Sequence, residues 1–188
     1  LKRIAATDAS VLIYGETGTG KELIAHTIHA NSPRRGLPFL IQNCAAIPDN
    51  LMESILFGSS KGSFTGAIDK AGLFEVSDGG TLYLDEVNSL SLELQGKLLR
   101  ALENKSIRRI GENEEREVDV RIIASTNENL AKMVKENRFR KDLFYRLNVT
   151  NYAIPSLRER TDDIPLLCDH YINIFNQRLN HSIIGLDS

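Results

Sequence analysis

The sequence lacks long hydrophobic runs, and only two of its 188 residues are cysteine. No apolar stretch approaches the roughly 18 residues that a membrane span requires, so we expect no contact with a membrane. Cys44 and Cys168 lie far apart and do not have the spacing of metal ligands; we expect two thiols in a reducing cytosol. Residues 1–4 carry no signal-peptide pattern, which also favours a cytoplasmic protein.

An excess of positive charge is missing as well. The net charge is −2 at pH 7, and the isoelectric point is about 6.1. A domain that binds DNA through its phosphates is usually basic, so we do not expect this chain to bind duplex DNA directly. A length of 188 residues is enough for one well-buried domain and the start of a second.

Short apolar runs alternate with amphipathic segments, which predicts an α/β fold with a mostly parallel sheet flanked by helices. The expected strands are residues 10–14, 39–41, 81–84 and 121–126. The expected helices are residues 21–29, with Leu23, Ile24 and Ile28 facing inward, a helix with Asp49 as N-cap, and residues 91–104, with Leu94, Leu98 and Leu102 on one side.

Two further segments shape the expected domain organisation. Residues 58–72 are rich in glycine and serine, which predicts a long exposed loop. After Pro155 the pattern becomes helical, and residues 169–179 predict the beginning of a helical lid. We therefore expect a nucleotide-binding domain over residues 1–155 and a truncated lid over residues 156–188.

A glycine-rich segment with the spacing G-x-x-x-x-G-K joins the first expected strand to the first expected helix. Its residues are Gly15, Glu16, Thr17, Gly18, Thr19, Gly20 and Lys21. Such glycines let backbone amides surround phosphate oxygens, and the lysine can reach the β- and γ-phosphates. A plain glycine-rich turn is the alternative, but the strand–loop–helix setting favours a phosphate site. Glu22 follows where a Mg²⁺-binding hydroxyl is usual, so the metal must depend more on Asp85, water and the phosphates.

Polar residues end two of the expected strands. Asp85 would hold Mg²⁺, directly or through water, and Glu86 would polarise the water that attacks the γ-phosphate; a helix cap is the alternative for this pair. Thr126 and Asn127 end the strand at residues 121–126, and a parallel sheet would bring their hydroxyl and amide beside the γ-phosphate. Read alone, these two residues are also a common turn.

The chain resembles one family, the central AAA+ ATPase domain of sigma-54-dependent transcriptional activators, also called bacterial enhancer-binding proteins. Residues 15–22 resemble the Walker A form of that family, in which the final glutamate is usual. Residues 62–67 resemble the family's signature loop, which is normally GAFTGA. They are Gly62, Ser63, Phe64, Thr65, Gly66 and Ala67. The resemblance covers about residues 5–185 and implies the AAA+ P-loop NTPase fold, with the start of a small helical lid.

The resemblance also implies roles for single residues. ATP would be held by residues 15–22 and Mg²⁺ by Asp85. Asn43 would be a switch residue that contacts Glu86 and reports the nucleotide state, with a strand-end cap as its alternative; Thr126 and Asn127 would form sensor I. Two arginine fingers would act on ATP bound by the neighbouring subunit of a homo-oligomeric ring, a hexamer or heptamer: Arg140 and Arg146. Ordinary surface arginines are the alternative.

The implied function is ATP hydrolysis that remodels the closed complex of sigma-54 RNA polymerase, so that the promoter opens. Phe64 and Thr65 would contact sigma-54 at the tip of a loop that moves with the nucleotide cycle. A nucleotide-gated regulatory module with little turnover is the alternative, and a general AAA+ unfoldase is disfavoured by the signature loop.

Several features depart from the family pattern. Ser63 stands in place of alanine, Ser59 and Ser60 in place of a His-Glu pair, and Ile55 where an acid is often found. The stretches expected to carry sensor II, a regulatory domain and a DNA-binding domain are not in this sequence. We therefore expect a shortened central domain that binds ATP weakly and assembles poorly, with DNA bound by another domain.

Overall fold

The computed structural model describes residues 1–63 and 67–185. The chain divides into two compact units, Leu1–Ile154 and Pro155–Ser188. Within the described ranges, no helix is both long and apolar enough to cross a membrane.

The first unit contains nine strands and seven α-helices in its described residues. In chain order they are α1 (Lys2–Ala5), β1 (Val11–Tyr14), α2 (Lys21–Ala30), β2 (Phe39–Asn43), α3 (Asp49–Phe57), β3 (Gly58–Ser59), β4 (Lys70–Ala71), α4 (Leu73–Val76), β5 (Thr81–Asp85), α5 (Leu92–Asn104), β6 (Ser106–Ile107), β7 (Arg116–Glu117), β8 (Arg121–Thr126), α6 (Leu130–Lys135), α7 (Lys141–Leu147) and β9 (Thr150–Ala153), with a 3₁₀ turn at Val87–Ser89. The second unit contains a 3₁₀ turn at Leu157–Glu159 and α8 (Asp163–Leu179).

Five strands form one parallel sheet in the order β2-β5-β8-β1-β9. Because all five run in the same direction, the turns that follow β1, β2, β5 and β8 collect at one edge. In parallel α/β sheets that edge is where ligands bind. The expected α/β architecture with a mostly parallel sheet is confirmed.

The sheet buries apolar side chains on both faces, since successive strand residues point to opposite sides. On one face Val11, Ile13 and Tyr83 pack with Ala25 and Ile28 of α2. On the other face the strands pack against α3, α5 and α7 through a larger cluster that includes Leu12, Met52, Leu56, Leu82, Leu84, Leu98, Ile122, Ala124 and Leu143. The sheet therefore lies between two helical layers.

Two expectations about helix detail were wrong. Leu23 does not face inward: it is 70% exposed, because the buried face of α2 is formed by Lys21, Ala25, Ile28 and His29. Asp49 is the first residue of α3 rather than its cap; Pro48 occupies the cap position and no side chain accepts a capping hydrogen bond.

Residues 58–72 are not simply an exposed loop, because both ends of the segment are built into the fold. Strand β3 pairs antiparallel with β4, and Gly58 and Ser59 are buried. A second hairpin, β6–β7, lies beside this base, with Ile110 bridged to Ser59. Non-local pairing of this kind leaves no periodic trace in the sequence.

Candidate active site

The glycine-rich segment between β1 and α2 forms a tight loop at the carboxyl edge of the sheet. Gly18 and Gly20 have φ values of 82° and 93°, in the left-handed region that favours glycine. A Cβ atom on Gly15 would lie 2.7 Å from Oγ1 of Thr19 and 3.3 Å from Cβ of Ile154, so a side chain there would require these neighbours to shift. The backbone N–H of Gly15 donates to the carbonyl of Thr126 at 3.2 Å, which ties the loop to β8.

Lys21 supplies a cation inside this loop. Its side chain is buried, and Nζ donates to the carbonyl oxygens of Gly15 (3.0 Å) and Glu16 (3.1 Å). Glu22, the next residue, lies at the exposed surface with its carboxylate 3.9 Å from His26. A carboxylate so placed cannot act as the hydroxyl that usually follows this lysine.

Asp85 ends β5 with its carboxylate surrounded by neutral donors. Oδ1 accepts hydrogen bonds from the hydroxyl of Tyr83 at 3.0 Å and from the hydroxyl of Ser125. Oδ2 accepts from Nδ2 of Asn43 at 3.3 Å. Tyr83 lies two residues before Asp85 and so shares its face of the strand. The pairing of Leu84 with Ala124 places Ser125 beside Asp85 on the neighbouring strand.

Burial keeps two side chains near these acids protonated, those of Tyr83 and Cys44. Burial raises the pKa of the Tyr83 phenol, so this hydroxyl remains a donor. Burial, followed by the negative charges of Asp85 and Glu86, raises the pKa of Cys44 to about 12. Cys44 therefore stays a neutral thiol and is not a nucleophile.

Glu86 follows β5 in a conformation that is unusual for a residue with a side chain. Its φ and ψ are 54° and 48°, in the left-handed region. Its backbone N–H donates to Oγ of Ser125 at 3.3 Å, and its Oε1 accepts from Nδ2 of Asn127 at 3.5 Å. Strained backbone of this kind is concentrated at functional sites, where it aims a side chain.

Thr126 ends β8 and Asn127 follows it, and their side chains contact different groups. Nδ2 of Asn127 reaches both Glu86 and the hydroxyl of Thr17 (3.4 Å), so this amide joins the acid pair to the phosphate loop. Its Oδ1 is buried without a hydrogen-bond partner among residues 1–63 and 67–185. Thr126 is fully buried, and its hydroxyl faces Oδ1 of Asn88 (3.0 Å) and the carbonyl of Glu128 (2.9 Å). Its hydroxyl thus organises the turn.

Asn43, at the end of β2, contacts the first acid of the pair. The expected contact was with Glu86, but the hydrogen bond of Asn43 goes to Asp85, because β2 and β5 pair in register with these two residues opposite each other. Oδ1 of Asn43 also accepts from the backbone N–H groups of Ala45 (2.8 Å) and Ala46 (3.1 Å), so the residue caps the following turn as well.

The two candidate arginine fingers lie on α7 and its cap. Arg140 is exposed beside α5 and forms two hydrogen bonds with Asp142, at 3.1 and 2.7 Å. Arg146 is also exposed, and its Nη2 donates to the carbonyl of Leu102 at 2.7 Å. Arg146 lines a cavity with Ser10 and Arg121, at the amino ends of β1 and β8. This is the opposite edge of the sheet from the phosphate loop.

The base of the candidate sigma-54 loop is held by side-chain hydroxyls. Ser59 Oγ donates to the carbonyl of Ile68 (2.9 Å), and Ser60 Oγ donates to the carbonyl of Ile110 in the second hairpin (3.0 Å). Ser63 Oγ donates to the carbonyl of Ser60 at 2.9 Å. The serines that replace a His-Glu pair thus brace the loop. Of the six predicted contact residues, Gly62 is exposed, Ser63 is half-buried and Ala67 is buried, whereas Phe64, Thr65 and Gly66 lie outside the described residues.

An ion pair joins the second hairpin to α4, the helix that follows the candidate sigma-54 loop. The guanidinium of Arg109 donates to both oxygens of Glu75 at 2.7 Å, with side chains only 15% and 17% exposed. The hydrogen bonds from Arg109 hold the pKa of Glu75 below its usual range. The second hairpin is therefore bound to α4, the helix that follows the candidate sigma-54 loop.

The carboxyl edge fits a Mg²⁺ ion that is shared with phosphate groups. Within residues 1–63 and 67–185, no cluster of three histidine, cysteine or acidic side chains could hold a metal alone. Mg²⁺ is commonly bound by one or two carboxylates together with phosphate oxygens and water, which suits the single carboxylate of Asp85. Tyr83 and Ser125 belong to none of the motifs named above. The alternation of side chains along β5 puts Tyr83 on the same face as Asp85, and the register of β5 with β8 puts Ser125 beside Asp85.

A family model described as the sigma-54 interaction domain matches residues 1–153. The transcriptional activator RocR of Bacillus subtilis (strain 168) is 57% identical over 180 residues, which cover 96% of this chain and 38% of RocR. The chain therefore spans well under half of the length of this relative.

Solved structures similar to this chain include two of NtrX. NtrX from Brucella abortus, in complex with ADP, has a TM-score of 0.90 and 40% identity, covering 96% of this chain and 40% of NtrX. NtrX in complex with ATP has a TM-score of 0.86 and 41% identity, covering 93% of this chain and 40% of NtrX. The P-loop NTPase domain of an Escherichia coli sigma-54 activator, at 19% identity and a TM-score of 0.55, covers 83% of this chain and 89% of that domain, and shows the fold alone.

Proposed function

Because the chain belongs to the sigma-54 interaction domain family and has the AAA+ P-loop NTPase fold, we propose that it hydrolyses ATP to remodel sigma-54 RNA polymerase. The remodelling opens the promoter by acting on the closed complex. The solved relative that binds ADP and ATP supports a nucleotide as the ligand of this chain.

The contact of Asn127 with both Thr17 and Glu86 is the observation that carries the proposal. It brings the phosphate loop, the second acid and the end of β8 to one point at the carboxyl edge. Hydrolysis of a phosphoanhydride requires a phosphate cradle, a base that orients water and a polar group beside the γ-phosphate. Lys21 and the loop amides bind the phosphates, and Glu86 polarises the attacking water.

Asp85 holds Mg²⁺ in this proposal, and the ion neutralises charge on the β- and γ-phosphates when it is bound. Asn43, hydrogen-bonded to Asp85 at 3.3 Å, is placed to respond when the carboxylate changes partners. Its second set of contacts, to Ala45 and Ala46, connects that response to the turn before α3.

The outward position of Arg140 and Arg146 supports catalysis between subunits. Arg146 stands at the edge of the sheet opposite its own phosphate loop, so the phosphate it stabilises belongs to a neighbour in a ring. A cation supplied by a second subunit is a known way to stabilise charge on a transferring phosphoryl group. The ion pair between the Arg140 and Asp142 side chains is exposed and screened by solvent, so the guanidinium can exchange partners.

The first experiment measures the ATPase rate per subunit against protein concentration, for the full-length protein and for its Arg140→Ala variant. Assembly-dependent chemistry predicts a rate per subunit that rises with concentration and a rise that disappears in the variant. A rate per subunit that is constant down to isolated monomers would refute catalysis in trans.

The second experiment tests the sigma-54 contact and separates turnover from the alternative, a nucleotide-gated binding module with little hydrolysis. Thr65→Ala is expected to leave ATPase activity largely intact and to abolish transcription activation. A full-length protein that binds ATP, reaches sigma-54 and shows no turnover in the assembled state would favour the gated module. Loss of hydrolysis in Thr65→Ala with sigma-54 binding unchanged would contradict the role of the loop.

A further inference from the structure

Tyr83 directs a buried hydroxyl to the carboxylate of Asp85. The phenol ring is 0% exposed and packs with Ile123, Ala25 and Ile28 on the α2 face of the sheet. A buried hydroxyl without a partner is costly, and here its partner is Oδ1 of Asp85 at 3.0 Å. The ring alone would fill the core; the hydroxyl adds a contact to one oxygen of one acid.

Ser125 connects the two acids through a single hydroxyl. Its Oγ accepts from the backbone N–H of Glu86 at 3.3 Å, and its own hydrogen goes to Oδ1 of Asp85. Ser125 lies on β8, between β5 and β1, and is completely buried, so water does not compete for these hydrogen bonds. The orientation of the Asp85 carboxylate and the backbone turn at Glu86 therefore depend on the same atom.

The contacts on the two oxygens of Asp85 are unequal. Oδ1 takes two hydroxyl hydrogens, whereas Oδ2 takes one longer bond from the amide of Asn43, at 3.3 Å. A carboxylate has about four lone-pair sites, so Oδ2 keeps the greater capacity for a cation. Groups that hydrogen-bond a metal-binding carboxylate fix its orientation and contribute strongly to metal affinity.

We propose that Tyr83 and Ser125 are positioning residues that hold the Asp85 carboxylate in the orientation in which it binds Mg²⁺. Ser125 also holds the backbone of Glu86, the residue that polarises water. This inference rests on the proposed function, since it takes the nucleotide site at the phosphate loop as its starting point.

The test measures the affinity of the full-length protein for a fluorescent ADP analogue in EDTA and across a range of Mg²⁺ concentrations. Tyr83→Phe removes only the hydroxyl and keeps the ring. In this variant the Mg²⁺ concentration that gives half of the metal-dependent gain in ADP affinity is expected to rise about 10-fold, with affinity in EDTA unchanged. Ser125→Ala should also raise this Mg²⁺ midpoint. In the double variant the Mg²⁺ midpoint should rise by less than the product of the two single increases, because both hydroxyls act on one oxygen.

Tyr152→Phe is the matched control, because Tyr152 is half-buried on β9 and separated from β5 by two strands; its Mg²⁺ dependence should equal that of the unaltered chain. Folding of every variant is checked by circular dichroism and thermal unfolding. An unchanged Mg²⁺ midpoint in folded Tyr83→Phe or in folded Ser125→Ala, or a change confined to the affinity in EDTA, would overturn the positioning role. An unaltered full-length protein that does not bind the analogue under either condition would instead overturn the proposed function, and this inference with it.

Discussion

Asn127 donates a hydrogen bond to Glu86, with 3.5 Å between Nδ2 and Oε1. The two residues follow neighbouring strands, β8 and β5, and are 41 positions apart in the chain. The same amide lies 3.4 Å from Oγ1 of Thr17, in the loop that follows β1. Strand β8 lies between β5 and β1, so a residue at its end can reach both the acid pair and the phosphate loop.

Asn127→Ala should separate nucleotide binding from hydrolysis. The backbone amides of the phosphate loop and Lys21 stay in place and only one 3.4 Å contact with Thr17 is lost, so the affinity for ADP should be nearly unchanged, whereas Glu86 loses the amide that orients it. We expect the turnover number of the full-length protein to fall about 100-fold. The measurement is steady-state ATPase activity together with ADP titration. Asn151→Ala, at an exposed position of β9, is the control and should behave as the unaltered protein; an Asn127→Ala protein with full turnover would remove Asn127 from the site.

Gly111→Ala should disturb the base of the candidate sigma-54 loop. The residue has a φ of 84°, and an added Cβ would lie 2.5 Å from Cβ of Ser63 and 2.7 Å from Oγ of Ser60. We expect a loss of about 1–3 kcal/mol in the free energy of unfolding, and a larger fall in transcription activation than in ATPase activity. Urea unfolding and the two activity assays check this.

Gly36→Ala is the control for that substitution. Among the described residues, apart from its two chain neighbours, no heavy atom lies within 4 Å of a Cβ placed there, and the backbone of Gly36 is not in the left-handed region. Its stability and activities should match those of the unaltered protein. Equal effects of Gly111→Ala and Gly36→Ala would show that the contact between the β3–β4 and β6–β7 hairpins contributes neither to stability nor to transcription activation.

Arg34→Lys should destabilise the amino edge of the sheet. Arg34 is only 8% exposed and hydrogen-bonds Asp8, Asp119 and the carbonyl oxygens of Gly79 and Gly80. Lysine cannot reproduce this planar set of donors, and we expect a loss of about 2–3 kcal/mol in the free energy of unfolding. Arg35→Lys, at an exposed position, should have little effect.

The same substitution should also change the pH dependence of stability. The hydrogen bond from Arg34 lowers the pKa of Asp8 from its ordinary value of 3.8. A carboxylate with a lowered pKa stabilises the fold above its ordinary pKa, and that contribution is lost as the pH falls through the folded value. The stability difference between the unaltered chain and Arg34→Lys should therefore shrink between about pH 5 and about pH 2, by a modest amount because Asp8 is largely exposed. A difference that grows on acidification would contradict the pairing.

Cys44 should be unreactive in the folded chain. Its pKa of about 12, against an ordinary 9.0, means about 1,000-fold less thiolate than a free cysteine at neutral pH, and the side chain is buried besides. Cys168→Ser leaves Cys44 as the only thiol, and its reaction with an aromatic disulfide reagent should occur only on unfolding. Cys44→Ser, which keeps the half-buried Cys168, is the comparison. Rapid modification of native Cys168→Ser would show that Cys44 is accessible.

The sequence motifs predict much of the candidate site because the chemistry of a phosphate loop is local. Residues 15–21 require glycines at set positions between a strand and a helix, and the structure has β1, a loop and α2 there. The acids at the end of β5 and the polar pair at the end of β8 are predicted in the same way, since a buried strand is a short apolar run that ends where polar residues begin. The burial of Leu23 was predicted wrongly, because one helical face was chosen over another that begins with the buried Lys21.

The α/β class, the candidate phosphate loop and the family can be predicted from the amino-acid sequence, because they depend on residue types at short spacings. Three contacts are visible only in the folded chain: Asn43 bonds to Asp85, the hydroxyl of Thr126 turns toward Asn88, and Tyr83 and Ser125 share an oxygen of Asp85. These contacts depend on which strands are neighbours and in what register. Strand order and register are set by packing the whole sheet between its helices, which no short segment of the chain encodes.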